Sequence, residues 1–166
     1  MRIDITSIAG INGAYLEVSR DIPTETLGSG FAGIELDETV HADLKIEYIE
    51  GFIIVKGNVS GNYASQCGRC LKDIKDEFDI EINENFMHMS KDMNNVDDYL
   101  YDGGHIDLTI PLLDNILLSF PGVILCSNEC KGLCEVCGAN LNETHCTCEK
   151  DVINIKMEKL KDFFNQ

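Results

Sequence analysis

The sequence predicts an α+β fold: an antiparallel β-meander or partly closed sheet packed with one helix, followed by a Cys-rich segment and a terminal helix. Three observations point to it. Successive segments from Val40 to Asn83 alternate apolar and polar residues with the two-residue period of a strand. One stretch near residues 107–120 instead spaces its apolar residues by three and four, as a helix does. Beyond it, six of the eight cysteines fall between Cys126 and Cys148 among polar residues and glycines, which is not how a hydrophobic core is written. A chain of 166 residues is about one domain long and can bury roughly two-thirds of its unfolded surface. We place a β-rich core domain at 1–125 and the Cys-rich tail with its C-terminal helix at 126–166.

Taken in order, Met1 to Ile8 and Ala14 to Val18 read as short strands, and Pro23 to Gly33 as a polar, small-residue linker. From Val40, the residues Val40, Ala42, Leu44, Ile46 and Tyr48 share one side and His41, Asp43, Lys45 and Glu47 the other, the pattern of a half-buried strand. Glu50-Gly51 suits the positive φ angles of a tight hairpin turn. Phe52-Ile53-Ile54-Val55 opens a second strand that runs to about Ser65. After Cys67 to Cys70, Phe78, Ile80 and Ile82 alternate with Asp79, Glu81 and Asn83 in a third strand. Lys91 to Gly104, with Asp92, Asp97, Asp98 and Asp102, reads as a solvated acidic loop. In the helix that follows, Asp107 or Thr109 can cap, Pro111 is tolerated in the first turn, and Leu108, Leu112, Leu113, Ile116, Leu117 and Phe120 form the apolar face. Pro121-Gly122 stops it. A last helix is expected from near Asp151, on the spacing of Ile153, Met157, Leu160 and Phe164.

Twenty-nine acidic against thirteen basic residues leave a formal charge of -16. That opposes general coating of a phosphate backbone and favours a basic partner. Asp4 and the lack of a long apolar stretch near the N-terminus argue against an export signal. Ile106 to Leu125 is broken by Asp107, Pro111, Asp114, Asn115, Pro121 and Gly122, so no membrane partner is expected. A cytoplasmic location follows, and in a reducing compartment cysteines at these spacings point to metal ligation before disulfides.

Cys67 and Cys70 form one CxxC, Cys134 and Cys137 a second; Cys126 and Cys130 have three residues between them, and Cys146 and Cys148 flank Thr147. Eight thiolates make two sets of four, and a Zn²⁺ ion takes four soft ligands in a closed, structural tetrahedron. Two close cysteines on one turn supply half of that tetrahedron at small entropic cost. Cys134-Glu135-Val136-Cys137-Gly138 reads as a zinc knuckle completed by Cys146 and Cys148. The nearest remaining partners for Cys67 and Cys70 are Cys126 and Cys130, beyond the helix. One or two Zn ions in Cys₄ sites are expected, with His145, beside Cys146, an alternative to one of the thiolates and an iron–sulfur cluster an alternative to zinc. A dithiol redox protein is a third reading, although neither CxxC opens a helix after a parallel strand. Gly28 to Gly33 matches GxGxxG, but no buried strand precedes it. No other catalytic constellation stands out, and a non-enzymatic protein is expected.

Cys67-Gly68-Arg69-Cys70-Leu71, then Ile106-Asp107-Leu108 opening a helix, then Cys130-Lys131-Gly132-Leu133-Cys134 through Cys137-Gly138-Ala139-Asn140-Leu141-Asn142 to Cys146-Thr147-Cys148 together resemble the YceD family, named for large-subunit ribosomal RNA accumulation. The likeness runs roughly from Val40 to Cys148. It implies a non-enzymatic role in ribosome biogenesis, supporting large-subunit (23S) ribosomal RNA accumulation. With the charge, it suggests an acidic, zinc-stiffened scaffold that binds a basic ribosomal protein or a pre-large-subunit particle. The alternative is direct binding of ribosomal RNA by Arg69, Lys72 and Lys75, the one cationic cluster beside a CxxC turn.

Overall fold

In the computed structural model of the protein, the described residues are 1–28, 33–89 and 99–148. The helix expected from Asp151, Asp92, Asp97 and Asp98 of the acidic loop, and the middle of the Gly28 to Gly33 motif lie outside them. Among the described residues the strands are β1 (Arg2–Asp4), β2 (Tyr15–Pro23), β3 (Ile34–Leu36), β4 (Thr39–Ile49), β5 (Phe52–Gln66), β6 (Asp73–His88), β7 (Tyr99–Tyr101) and β8 (His105–Asp107), followed by helix α1 (Thr109–Ser119).

The alternation read from Val40 onward becomes the antiparallel ladder β4-β5-β6, with Ile46 opposite Val55 and Ile53 opposite Phe86. Glu50 (φ 49°) and Gly51 (φ 89°) both take positive φ, the backbone that matches a two-residue turn to the twist of its strands. Because side chains alternate across a strand, one face of this ladder is apolar: Val40, Ala42, Leu44 and Ile46 of β4, Ile53, Val55 and Val59 of β5, and Phe78, Ile82 and Phe86 of β6 are all buried. Leu108, Leu112 and Ile116 of the α1 segment join the same cluster. Each such burial stabilises by roughly 1.5–3 kcal/mol, which is why α1 is held against the sheet. Ile110 and Leu118 point away and are exposed. No described helix is long and apolar enough to cross a membrane.

Several expectations are corrected. The sheet is not closed: its order is β2-β4-β5-β6-β7, with β3 also on β5, and its edges β2 and β7 do not pair. Closure needs edge strands that can meet along their length, whereas β7 offers three residues, parallel to the end of β6. The first strand is only Arg2–Asp4, paired with β8. Beyond it the chain turns, with Ile8 and Ala9 both donating to the Ile5 carbonyl. The strand expected at Ala14 to Val18 runs on to Pro23, opposite Thr39, where the ring's missing N–H is harmless at an edge. The supposed linker after it starts with a short 3₁₀ turn at Thr24–Thr26 and sends Leu27, 2% exposed, into the core. The third strand starts at Asp73, not Phe78, because the β5 ladder continues to the pair Gln66 and Asp73. Asp76-Glu77 hides that stretch by breaking the apolar alternation.

The helix N-cap position is Leu108, which has no capping side chain. Asp107 caps from one residue earlier: its carboxylate accepts from the Thr109 amide at 3.0 Å and the Thr109 hydroxyl at 2.6 Å. These bonds, the hydroxyl first and then the amide, hold the Asp107 carboxyl down to about 2. Asp107→Ala is expected to cost about 1 kcal/mol at neutral pH. Since the folded-state pKa is depressed, that contribution is complete above the ordinary carboxylate range and is lost as pH falls toward about 2. Urea unfolding of both proteins at pH 7 and pH 2 checks it: the gap between them should be present at the first pH and shrink at the second.

Candidate metal centres

The loop joining β5 to β6 is the first CxxC turn. The Cys67 amide donates to the Lys72 carbonyl and the Leu71 amide to the Cys67 carbonyl, both at 2.9 Å, with Leu71 in the left-handed region at φ 59°. This tight loop presents the Cys67 and Cys70 sulfurs at the tip of the longest hairpin. The chain reaches the same tip from the other end of the core. α1 ends as Phe120 turns extended, and the Phe120 ring packs edge-on against Tyr63 at 4.8 Å and Phe78 at 5.7 Å. From there the Gly68 amide donates to the Ile124 carbonyl at 2.9 Å, which delivers Cys126 and Cys130.

Cys67, Cys70, Cys126 and Cys130 then form one cluster, and Cys134, Cys137, Cys146 and Cys148 another; within each, the four sulfurs lie within 4.8 Å of one another. Measured contacts are 3.8 Å for Cys67–Cys130 and 3.6 Å for Cys70–Cys126 in the first cluster. In the second they are 3.5 Å for Cys137–Cys146 and 3.4 Å for Cys134–Cys146. A tetrahedron of sulfurs about 2.3 Å from a central Zn²⁺ has edges of about 3.8 Å, whereas a disulfide needs roughly 2.05 Å. All eight thiols are free. The donor sets therefore fit a tetrahedral thiophilic ion, and either cluster could hold one.

The protonation pattern agrees with that reading. The Cys67 thiol is held down to about 6, first by the Cys126 amide and against the opposing effect of burial. Cys134 is likewise down to about 6, through the amides of Cys137 and Val136. Their neighbours are pushed the other way: Cys126 to about 12 beside Cys130 and Cys70, and Cys148 to about 12 beside Cys146 and Cys137. Adjacent sulfurs cannot all carry negative charge unless something positive replaces the protons. A dication does so and releases protons as it binds.

The two clusters are stitched together. The Leu133 amide donates to the Arg69 carbonyl at 3.1 Å, and the Arg69 guanidinium returns a bond to the Cys130 carbonyl at 3.0 Å. Gly132, at φ 74°, allows this approach, since a Cβ there would stand 3.1 Å from the Arg69 oxygen. Asn142, in the loop between Cys137 and Cys146, accepts from the Lys131 amide at 2.8 Å and donates to the Cys130 sulfur at 3.4 Å. Sequence reasoning assigned Asn142 no role, and nothing in its spacing could have done so. Arg69 is thus bonded to the first cluster's backbone while still exposed; Lys72 in the same loop and Lys75 on β6, opposite Ala64, are exposed as well. His145 is exposed and belongs to neither cluster.

The sequence profile of the family described as "Large ribosomal RNA subunit accumulation protein YceD" matches residues 55–164, a span that contains all eight cysteines. An uncharacterized protein of Mycobacterium leprae is 26% identical over 144 residues, covering 83% of this chain and 66% of its own length. Uncharacterized proteins of Mycobacterium bovis and Mycobacterium tuberculosis are each 25% identical over 146 residues, covering 85% of this chain and 70% of theirs. This chain thus spans about two-thirds of the length of these relatives. No solved structure matches it.

Proposed function

This chain belongs to the YceD family of large ribosomal RNA subunit accumulation proteins, and from that premise we propose that it is a non-enzymatic ribosome-biogenesis factor. It binds a basic ribosomal protein or pre-large-subunit particle in the cytoplasm through an acidic scaffold stiffened by zinc. The family match carries the ribosomal part of this reading, because it spans both sulfur clusters together with the hairpin and helix that present them. Zn²⁺ would be held by Cys67, Cys70, Cys126 and Cys130, and by Cys134, Cys137, Cys146 and Cys148. Bound there, it supplies a cross-link and no chemistry, since a closed four-thiolate site has no open position for substrate. The charge of -16 supports the choice of partner. Each four-thiolate zinc site adds a further charge of about -2, which favours Lys/Arg-rich surfaces over RNA phosphates.

Capture from cell extract on immobilised holoprotein tests the proposal. A ribosomal protein or precursor particle should be retained at low salt and released as salt rises, because exposed charges are screened over a Debye length of about 8 Å at physiological ionic strength. Failure to retain any ribosomal component at low salt would refute the role, and salt-independent retention would refute the electrostatic interface. A second reading, direct RNA binding, is favoured only by the exposure of Lys72 and Lys75 beside the hairpin tip. Loss of co-purifying RNA in Lys72→Ala/Lys75→Ala, with protein partners retained, would support that reading over ours.

A further inference from the structure

We propose that Asn142 couples the two cysteine clusters, so that filling the second with metal strengthens metal binding at the first. The inference rests on the reading that both clusters take up metal, and it assigns a positioning role to a residue that is itself no ligand. Asn142 lies in the loop whose ends, Cys137 and Cys146, belong to the second cluster, yet its side-chain amide donates to Cys130 of the first. The amide is held in place at both ends. Its oxygen accepts from the Lys131 amide, and its nitrogen also donates at 2.8 Å to the Asn140 side chain, which in turn accepts from the Asn142 backbone at 3.0 Å. The Asn140 carbonyl takes the amides of Glu143 and Thr144, and Leu133 bridges Asn140 across the loop.

That geometry exists only while the loop is folded. Its shape is set by ordering Cys134, Cys137, Cys146 and Cys148 around a common point, and few apolar contacts assist: Glu143, Thr144 and His145 are exposed, and Leu141 is only partly buried. An ion in the second cluster therefore fixes the donor that steadies a sulfur of the first. Hydrogen bonds from such supporting groups orient a ligand and disperse its charge, and their loss typically weakens metal binding 10- to 100-fold. Linkage requires the reverse as well, so an ion in the first cluster favours the second by the same factor.

The test uses the full chain and Cd²⁺, whose NMR resonance separates two tetrathiolate sites, with each ion withdrawn by a competing chelator. Asn142→Asp keeps an oxygen for the Lys131 amide but removes the N–H aimed at sulfur. We expect two ions still bound and the first-cluster ion stripped at about tenfold lower chelator. Cys134→Ser/Cys137→Ser should abolish the second resonance and weaken the first by a similar factor, and adding Asn142→Asp to it should change nothing further. First-cluster affinity unchanged in both backgrounds overturns the coupling. If the double-Ser protein does not fold, the unmodified protein at one and at two equivalents of Cd²⁺ replaces it, and a first-cluster ion stripped equally easily with the second cluster empty or filled overturns the coupling. Absence of Cd²⁺ at either cluster of the unmodified protein overturns the metal reading itself, a result distinct from two ions that bind independently.

Discussion

Cys67→Ser/Cys70→Ser is expected to free residues 121–148 from the hairpin tip while the ladder of β4, β5 and β6 stays folded. The core explains the second half of that result. The cluster that holds the sheet, from Ile3 to Ile116, contains no cysteine, whereas the first sulfur cluster forms a separate knot with only Ile74, Leu125 and Leu133 packed against it. So small an apolar knot is a weak anchor for a segment whose residues lose conformational entropy on docking. A structural zinc ion contributes on the order of 10–16 kcal/mol of apparent binding free energy near neutral pH. Hydrogen exchange would locate the change: protection at the Gly68 and Leu133 amides, which bond across to the Ile124 and Arg69 carbonyls, should fall toward that of an open chain, and protection along β4 and β5 should persist. A chelator should reproduce this, and so should acid. Cys67 and Cys134 are held as thiolates down to about 6, so below that pH protons compete with the ion for both anchors and affinity drops. Full metal content in the double-Ser protein would exclude the assigned ligands.

Gly57→Ala is expected to lower stability by about 3 kcal/mol or more, a large part of the 5–15 kcal/mol typical of a domain. Gly57 stands opposite Leu44 in the ladder of β4 and β5. A Cβ at this position would lie 1.9 Å from the Asp43 carbonyl oxygen and 2.9 Å from its carbon. The obstacle is backbone, so no rotamer relieves it. Neither strand can retreat, because β4 is also paired to β2 and β5 to β6. Gly10→Ala is the control: its φ is 85° but open space surrounds the new Cβ, so only the conformational penalty of about 1 kcal/mol is expected. Urea midpoints would compare the two, and equal losses would show that the close approach at Gly57 is not what holds the glycine there.

The hairpin from Val40 to Val55 and the helix at 109–119 were legible because their signals are local. The two-residue and 3.6-residue periods are properties of contiguous residues facing one core. The cysteine spacings were legible for the same reason, as a chelating pair is a feature of one turn. Where the signal weakened, so did the reading. Asp73 to Glu77 belongs to β6 by virtue of pairing with β5, while its own charged side chains face solvent and break the alternation. Leu27 is buried in a stretch with no period around it. The open edges of the sheet depend on β7 being short and parallel, which no pattern in Tyr99–Tyr101 announces.

By itself, then, the sequence determined the antiparallel ladder, the packing helix and the thiol pairs, each an arrangement of neighbours along the chain. Only the tertiary structure decided that Cys67 meets Cys130 across 63 positions, that Arg69 bonds the Cys130 carbonyl, and that Asn142 reaches a sulfur of the other cluster. The physical reason is that these contacts arise where segments distant in sequence are packed side by side at the hairpin tip, so they depend on the tertiary arrangement rather than on any one stretch of residues.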